Sequence, residues 1–267
     1  MEHVTNITSP IKAGADIPAI YIPKAAELPI LTLDPDHLAK RKIIGFDSRD
    51  IRSRAFNLLR SQVAKRLNQD GLKVLGITSA APNAGKSFIS INLAAALSRM
   101  PDREVYLFDF DLRRGSIARE LGLQSGRGLG LFLEGKVPDL HAIGHRVGET
   151  GFAFFPCFAS MDRSAELFAS DSFKGLAAAM RTLPDNAIVL CDLPPAFAND
   201  DTAVICEHLD AFLMVVEQGV TTRNQILGTR TMLSPTPCLG TVLNRYDGGW
   251  SDPYGYGYGN PYGKYYA

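Results

Sequence analysis

Apolar residues recur along this chain in two distinct periods. Six short runs are apolar almost throughout: residues 73–78, 104–108, 152–155, 187–191, 211–216 and 239–243. Runs of that length without polar alternation read as strands buried on both faces. Between them, apolar positions return every three or four residues at 51–67, 88–100, 172–183 and 223–233, and a short helix is expected within 126–137. In the first of these, Ile51, Ala55, Leu58, Leu59, Val63 and Leu67 share one face and arginines and lysines the other, as in a helix covering a sheet. Strands alternating with helices predict an α/β fold, a mostly parallel sheet covered by helices on both faces. Ligands of such sheets sit at the carboxyl ends of the strands.

Both ends break the pattern. Over residues 1–45, Pro10, Pro18, Pro23, Pro29 and Pro35 interrupt every apolar run. A nitrogen without a proton continues neither a helix nor a central strand, so an extended arm is expected, docked on a partner or on the domain surface. Residues 46–247 form the expected main domain. Residues 248–267 hold six of the nine tyrosines amid dense glycine and proline. Such a segment buries too little surface to offset its ordering entropy, so a mobile tail is expected.

Composition narrows the function classes. Lys and Arg number 28, as do Asp and Glu, so zero net charge favours neither nucleic acid nor an anionic membrane as main partner. The basic residues of the first helix, among them Arg52, Arg54, Arg60, Lys65 and Arg66, therefore read as a solvated face. Cys157, Cys191, Cys206 and Cys238 show no Cys-x-x-Cys pair and read as buried thiols of a reducing compartment. No run approaches the roughly 18 apolar residues of a membrane span, and the N-terminus lacks a signal-peptide pattern. His141 and His145 lie four apart, the spacing of one helix face, without acidic or cysteine partners at metal spacing. They read as a solvated pair. No Ser-His-Asp arrangement suggests itself.

Candidate chemistry concentrates in Ser79-Ala80-Ala81-Pro82-Asn83-Ala84-Gly85-Lys86-Ser87, between the 73–78 strand and the 88–100 helix. A strand, a tight loop ending Gly-Lys-Ser, then a helix is the layout of a phosphate-binding loop. Its backbone N–H groups and helix N-terminus attract an anion. Lys86 would reach β- and γ-phosphates, and the Ser87 hydroxyl would hold magnesium. Gly85 lets the backbone come close. Ala80 stands where the motif wants its first glycine. Asn83 suits a left-handed backbone. Asp109, Asp111 and Asp192 follow the second and fourth strands, at the same sheet edge as the loop.

Together these motifs resemble the catalytic domain of the bacterial tyrosine autokinases of capsule and exopolysaccharide synthesis, P-loop NTPase-fold proteins. The resemblance spans residues 45–267. Residues 105–113 look like the family's second nucleotide motif, an apolar strand then Asp-x-Asp-x-Arg. Leu190-Cys191-Asp192-Leu193-Pro194-Pro195 is similar to its third. Arg163-Ser164-Ala165-Glu166-Leu167-Phe168 resembles its Pro-x-Glu-Leu-Leu stretch, residues 128–135 its Gly-Leu-x-x-x-Leu run, and the tail its tyrosine cluster. One departure concerns the first helix, where Arg54-Ala55-Phe56-Asn57-Leu58-Leu59-Arg60 replaces Glu-Ala-Phe-Arg-x-Leu-Arg. The acid and middle arginine that pack protomers of the family into a ring are missing.

The resemblance implies ATP and Mg2+ as cofactors and an autokinase phosphorylating its own tail in trans. Pro82, Asn83, Ala84, Gly85, Lys86, Ser87 and Phe88 would contact the nucleotide, with Asn244 at the adenine. Lys86, Asp109 and Asp111 would be catalytic, Asp109 as base toward the tyrosine hydroxyl or as a metal ligand. Ser87, Asp109 and Asp192 would hold magnesium, Asp111 ordering its waters. The acceptors would be Tyr254, Tyr256, Tyr258, Tyr262, Tyr265 and Tyr266. A membrane-embedded polysaccharide co-polymerase acting as activator and a homo-oligomer are the implied partners, with the chain cytoplasmic and recruited to the inner face of the plasma membrane. Two alternatives stand beside this: a regulatory ATPase of the partitioning or division-site type, and a scaffold that binds ATP without turnover. The first would carry a second lysine early in its loop or a terminal basic amphipathic helix. This chain has Ala80-Ala81-Pro82 and Tyr-Gly repeats instead.

Overall fold

The computed structural model describes residues 20–158 and 160–246. The expected acceptor tyrosines of the tail, and the first nineteen residues of the arm, lie outside that range. Among the described residues, eight strands form one sheet: β1 (Ile30–Leu31), β2 (Val74–Ser79), β3 (Glu104–Asp109), β4 (His145–Val147), β5 (Phe152–Phe155), β6 (Ala187–Asp192), β7 (Ala211–Glu217) and β8 (Cys238–Asn244). Their spatial order is β1-β4-β5-β3-β6-β2-β7-β8. Neighbours run parallel except β4 and β5.

The helices are α1 (Pro35–Arg41), α2 (Arg54–Asp70), α3 (Lys86–Leu97), α4 (Ile117–Glu120), α5 (Leu129–Leu133), α6 (Ser164–Phe168), α7 (Asp171–Thr182), α8 (Asp201–Cys206) and α9 (Arg223–Met232). Successive strand residues feed opposite cores, because side chains alternate across a sheet. Val105 and Leu107 of β3 enter the core that α2 and α3 cover. Tyr106 and Phe108 enter the other, under α5, α6 and α7. Both faces being covered is why the central strands read as unbroken apolar runs.

The six strands and five helices expected from periodicity all appear, with shifted ends. Six further strands and α-helices among the described residues do not announce themselves by pattern: β1, α1, β4, α4, α6 and α8. From residue 20 onward the arm is structured and docks on the domain itself. Ile30 and Leu31 pair with Arg146 and Val147 of β4. Pro35 opens α1 rather than breaking it, since the first helical turn has no use for its missing proton. Asp34 caps that turn by accepting from the Asp36 N–H at 2.9 Å. His37 Nε2 then contacts the carbonyls of Arg119 and Glu120 at 3.1 and 3.0 Å, fixing α1 against α4.

His141 and His145 share no helix face. His145 opens strand β4, and His141 lies in the preceding turn with Nε2 2.8 Å from the Glu27 carbonyl. Burial draws the half-buried His145 ring below its usual pKa. The four cysteines are free thiols, three of them buried. No helix among the described residues is long and apolar enough to cross a membrane.

Candidate active site

The loop leaving β2 turns back on itself to start α3. Asn83 takes φ +66° and Gly85 φ +92°, the left-handed region that asparagine and glycine tolerate best. Ala80 is accommodated without positive φ and packs inside at 1% exposure, its carbonyl accepting from Phe197 N–H at 3.2 Å. The end of β8 holds the loop from outside. Asn244 Nδ2 donates to the Ala84 carbonyl at 2.8 Å, and Arg245 Nη2 to the Asn83 carbonyl at 3.0 Å. Glu217 in turn pairs with Arg245 Nη1 at 2.5 Å. These contacts tie two loop carbonyls to the sheet edge.

Gly85 has no room for a side chain. A Cβ there would lie 2.1 Å from Asn244 Nδ2. Replacing Gly85 with alanine should therefore strain the backbone by about 1–2 kcal/mol and displace Asn244. Labelled ADP should bind at least ~10-fold more weakly. Adding Asn244→Gly restores space but not the dihedral, so binding should recover only in part. Unchanged ADP affinity in the single variant would show that the loop does not depend on Gly85.

Three carboxylates and one ammonium gather behind this loop. Lys86 Nζ lies 2.8 Å from Asp111 Oδ2 and 3.8 Å from Asp192 Oδ2. Asp192, wholly buried, accepts from Ser87 Oγ at 2.6 Å and from Ser90 Oγ at 2.8 Å. Asp109, also wholly buried, turns toward the main chain, accepting from the N–H groups of Asp111 and Ile117 at 3.3 Å each. Burial alone would draw the Lys86 ammonium down, but the Asp192 and Asp111 charges outweigh it and hold its pKa up. Burial first, then the Asp192 charge, lifts Asp109 well above the usual carboxylate range. Burial raises Asp192 as well, against the pull of Lys86 and the two hydroxyls. One cation among three carboxylates leaves an excess of negative charge.

A cleft of about 860 Å³ opens above the group. Of the expected nucleotide contacts, Pro82, Asn83, Gly85, Lys86, Ser87 and Phe88 line it, whereas Ala84 and Asn244 do not. Asn244 donates its amide to the loop and braces it. Asp111 reaches the cleft wall, while Asp109 and Asp192 stay behind it. Asp109, expected to meet an incoming hydroxyl or a metal, receives one main-chain donor on each oxygen and does not line the cleft.

Sequence reasoning missed several residues. Ser90 shares Asp192 with Ser87, and its three-residue spacing on one helix was a readable signal. Arg245 follows a strand with nothing local to mark it. Arg41, Arg114 and Arg119 line the cleft from α1, the loop after β3, and α4. Only the fold unites them.

No protein-family model matches the chain. EpsB of Ralstonia nicotianae, provisionally named a tyrosine-protein kinase, is 30% identical over 209 residues, 78% of this chain and 27% of EpsB. The tyrosine-protein kinase Wzc of Salmonella typhimurium is 30% identical over 177 residues, 66% of this chain and 24% of Wzc. The chain thus spans about a quarter of the length of these curated relatives. The kinase domain of the Escherichia coli tyrosine kinase Etk superposes with a TM-score of 0.70 at 25% identity, covering 84% of this chain and 93% of that domain. In sequence and in fold, the chain belongs to the family of bacterial tyrosine-protein kinase domains.

Proposed function

We propose that this chain is an ATP-dependent protein-tyrosine autokinase that phosphorylates its own C-terminal tyrosines, Tyr254, Tyr256, Tyr258, Tyr262, Tyr265 and Tyr266, in trans between protomers. The observation that carries it is the meeting of Lys86, Ser87, Asp111 and Asp192 at the carboxyl ends of β2, β3 and β6, beneath one cleft. The names of the relatives favour it over the partitioning-type ATPase and the inert scaffold.

The donor set suits magnesium. Ser87 Oγ and Asp192 are hard oxygen donors, and no cluster of three His, Cys, Asp or Glu fit for a metal exists among the described residues. Magnesium keeps several waters and takes one or two carboxylates beside substrate phosphates, and its charge balances the carboxylate excess. Bound there, it would neutralise charge on the transferring phosphoryl group. Lys86 and the loop N–H groups orient the β- and γ-phosphates of ATP. Asp111 accepts the phenolic proton as the tyrosine oxygen bonds the γ-phosphorus and the bond from that phosphorus to the leaving oxygen of ADP breaks. Asp109 acts from behind by fixing the Asp111 and Ile117 amides.

Each phosphate adds about two negative charges, so a heavily modified tail repels itself and leaves an oligomer. Such a cycle suits control of exopolysaccharide or capsule polymerisation and export. The chain would work on the cytoplasmic side, recruited to the plasma membrane by a membrane-embedded co-polymerase that activates it.

The test is incubation of the chain with labelled ATP, with and without that activator, beside a variant lacking residues 248–267. Label in tyrosine of the full chain and none in the truncated one is the expected result. ATP hydrolysis with no labelled protein would replace this reading with the regulatory ATPase.

A further inference from the structure

Four guanidinium groups also line the cleft: Arg41, Arg113, Arg114 and Arg119. Arg41 and Arg119 share a single carboxylate, Glu120, at 3.4 and 4.0 Å. Arg113 is held by a built mount. Its Nε donates to Ser164 Oγ at 2.8 Å and to Asp201 Oδ2 at 3.3 Å. The same Asp201 oxygen accepts from Ser164 Oγ at 2.7 Å and Asn199 Nδ2 at 2.9 Å, and both Ser164 and Asp201 are wholly buried. The mount uses only Nε, so the two Nη groups of Arg113 have no partner among the described residues. Arg114, exposed, is anchored by its main chain, its N–H donating to Asp111 Oδ1 at 3.0 Å. Four guanidinium groups therefore face two carboxylates, an excess of two positive charges beside the residue that meets the acceptor.

Guanidinium forks match phosphate oxygens in pairs, and a phosphotyrosine carries about two negative charges. The tail offers tyrosines at alternate positions, Tyr254, Tyr256 and Tyr258, so once one is modified its neighbours are tyrosines beside a dianion. We infer that the Arg41–Arg113–Arg114–Arg119 wall is a phosphotyrosine subsite, which grips a modified tail tyrosine while an unmodified neighbour enters the cleft. This rests on the autokinase reading and deepens it. The cleft would then prefer a partly phosphorylated tail to an untouched one, so that the first transfer promotes the next.

The experiment compares two peptides copying residues 252–267, one unmodified and one carrying phosphate on the tyrosine at position 258. Their affinities for the full chain are measured by fluorescence anisotropy with saturating ADP and magnesium. The phosphopeptide should bind ~10-fold tighter or better, and its advantage should shrink as salt rises. In the exposed double variant Arg114→Gln/Arg119→Gln the advantage should vanish while the melting temperature of the chain is unchanged. Asp201→Asn should reduce it by freeing Arg113. Free inorganic phosphate at the same concentration as the peptide should not compete. Equal binding of the two peptides, an advantage that survives the double variant, or full competition by phosphate would overturn the subsite. Label appearing in tail tyrosine together with equal peptide binding sinks the subsite alone, whereas absent label sinks the autokinase reading.

Discussion

Replacing Lys86 by methionine is expected to lower tyrosine labelling about a thousandfold, the scale on which removal of one preorganised donor to a developing charge acts. It should also destabilise the protein, and in a pH-dependent manner. The Lys86 ammonium is the cation facing Asp111 and Asp192 behind the loop. Breaking a buried ion pair from one side costs about 3 kcal/mol or more, equivalent to roughly 6–12 °C of melting temperature in a domain of this size. Asp109 and Asp192 already have raised pKa values in the folded chain. Folding therefore takes up protons, and their favourable contribution is complete below the unfolded carboxylate pKa and is lost as pH rises through the folded value. Without Lys86 those folded values rise further, so the loss begins from a protonated pair and extends to higher pH. The deficit of the variant should be smallest below the unfolded carboxylate pKa and grow as pH rises through the raised folded values. Denaturant unfolding of both proteins in chelator, at several pH values, reads it directly. A deficit constant across that range would mean that the carboxylates are not coupled to the lysine.

A comparable effect is expected from Phe110→Ala, at a residue that does not line the cleft. Phe110 lies between Asp109 and Asp111, is fully buried, and packs 5.6 Å from the Phe108 ring. Its edges meet Phe168 and Phe173 at centroid distances of 5.9 and 5.5 Å. Truncating a buried phenylalanine costs about 3–5 kcal/mol through lost transfer energy and the cavity left behind. Phe110 pins the main chain that carries the two neighbouring carboxylates, so Asp111 should lose its place beside Lys86 as well. Phe110→Leu keeps most of the volume and should cost about 1–2 kcal/mol. Urea unfolding gives the stability change, and labelling per folded molecule gives the effect on transfer. Native transfer in a chain that has lost the expected stability would separate the ring from the placement of Asp111.

The central strands were legible because both faces of the sheet are covered, leaving runs such as Val105 to Phe108 without a polar residue. The phosphate loop was legible because its demands are local: positive φ at Asn83 and Gly85, and a lysine and serine opening a helix. The short edge elements were not. Two-residue β1 exists only because β4 lies beside it, and β4 only because β5 pairs with it. The prolines of the arm suggested disruption, yet whether a proline breaks a helix or begins one depends on which turn it occupies.

Residue identity and order along the chain thus determined the layered architecture, the loop that receives phosphate, and the set of acids at one sheet edge. Which acid faces the cleft was decided in three dimensions. Asp109 ends β3 and Asp111 lies two residues beyond it, and hydrogen bonds from Ile117 and Asp111 turn one inward while Lys86 draws the other out. The bracing of the loop by Asn244 and Arg245, more than 150 positions away in sequence, was decided there too. So was the gathering of four arginines from three separate segments. Local pattern reports what a residue can do, while long-range packing sets which neighbour it does it with.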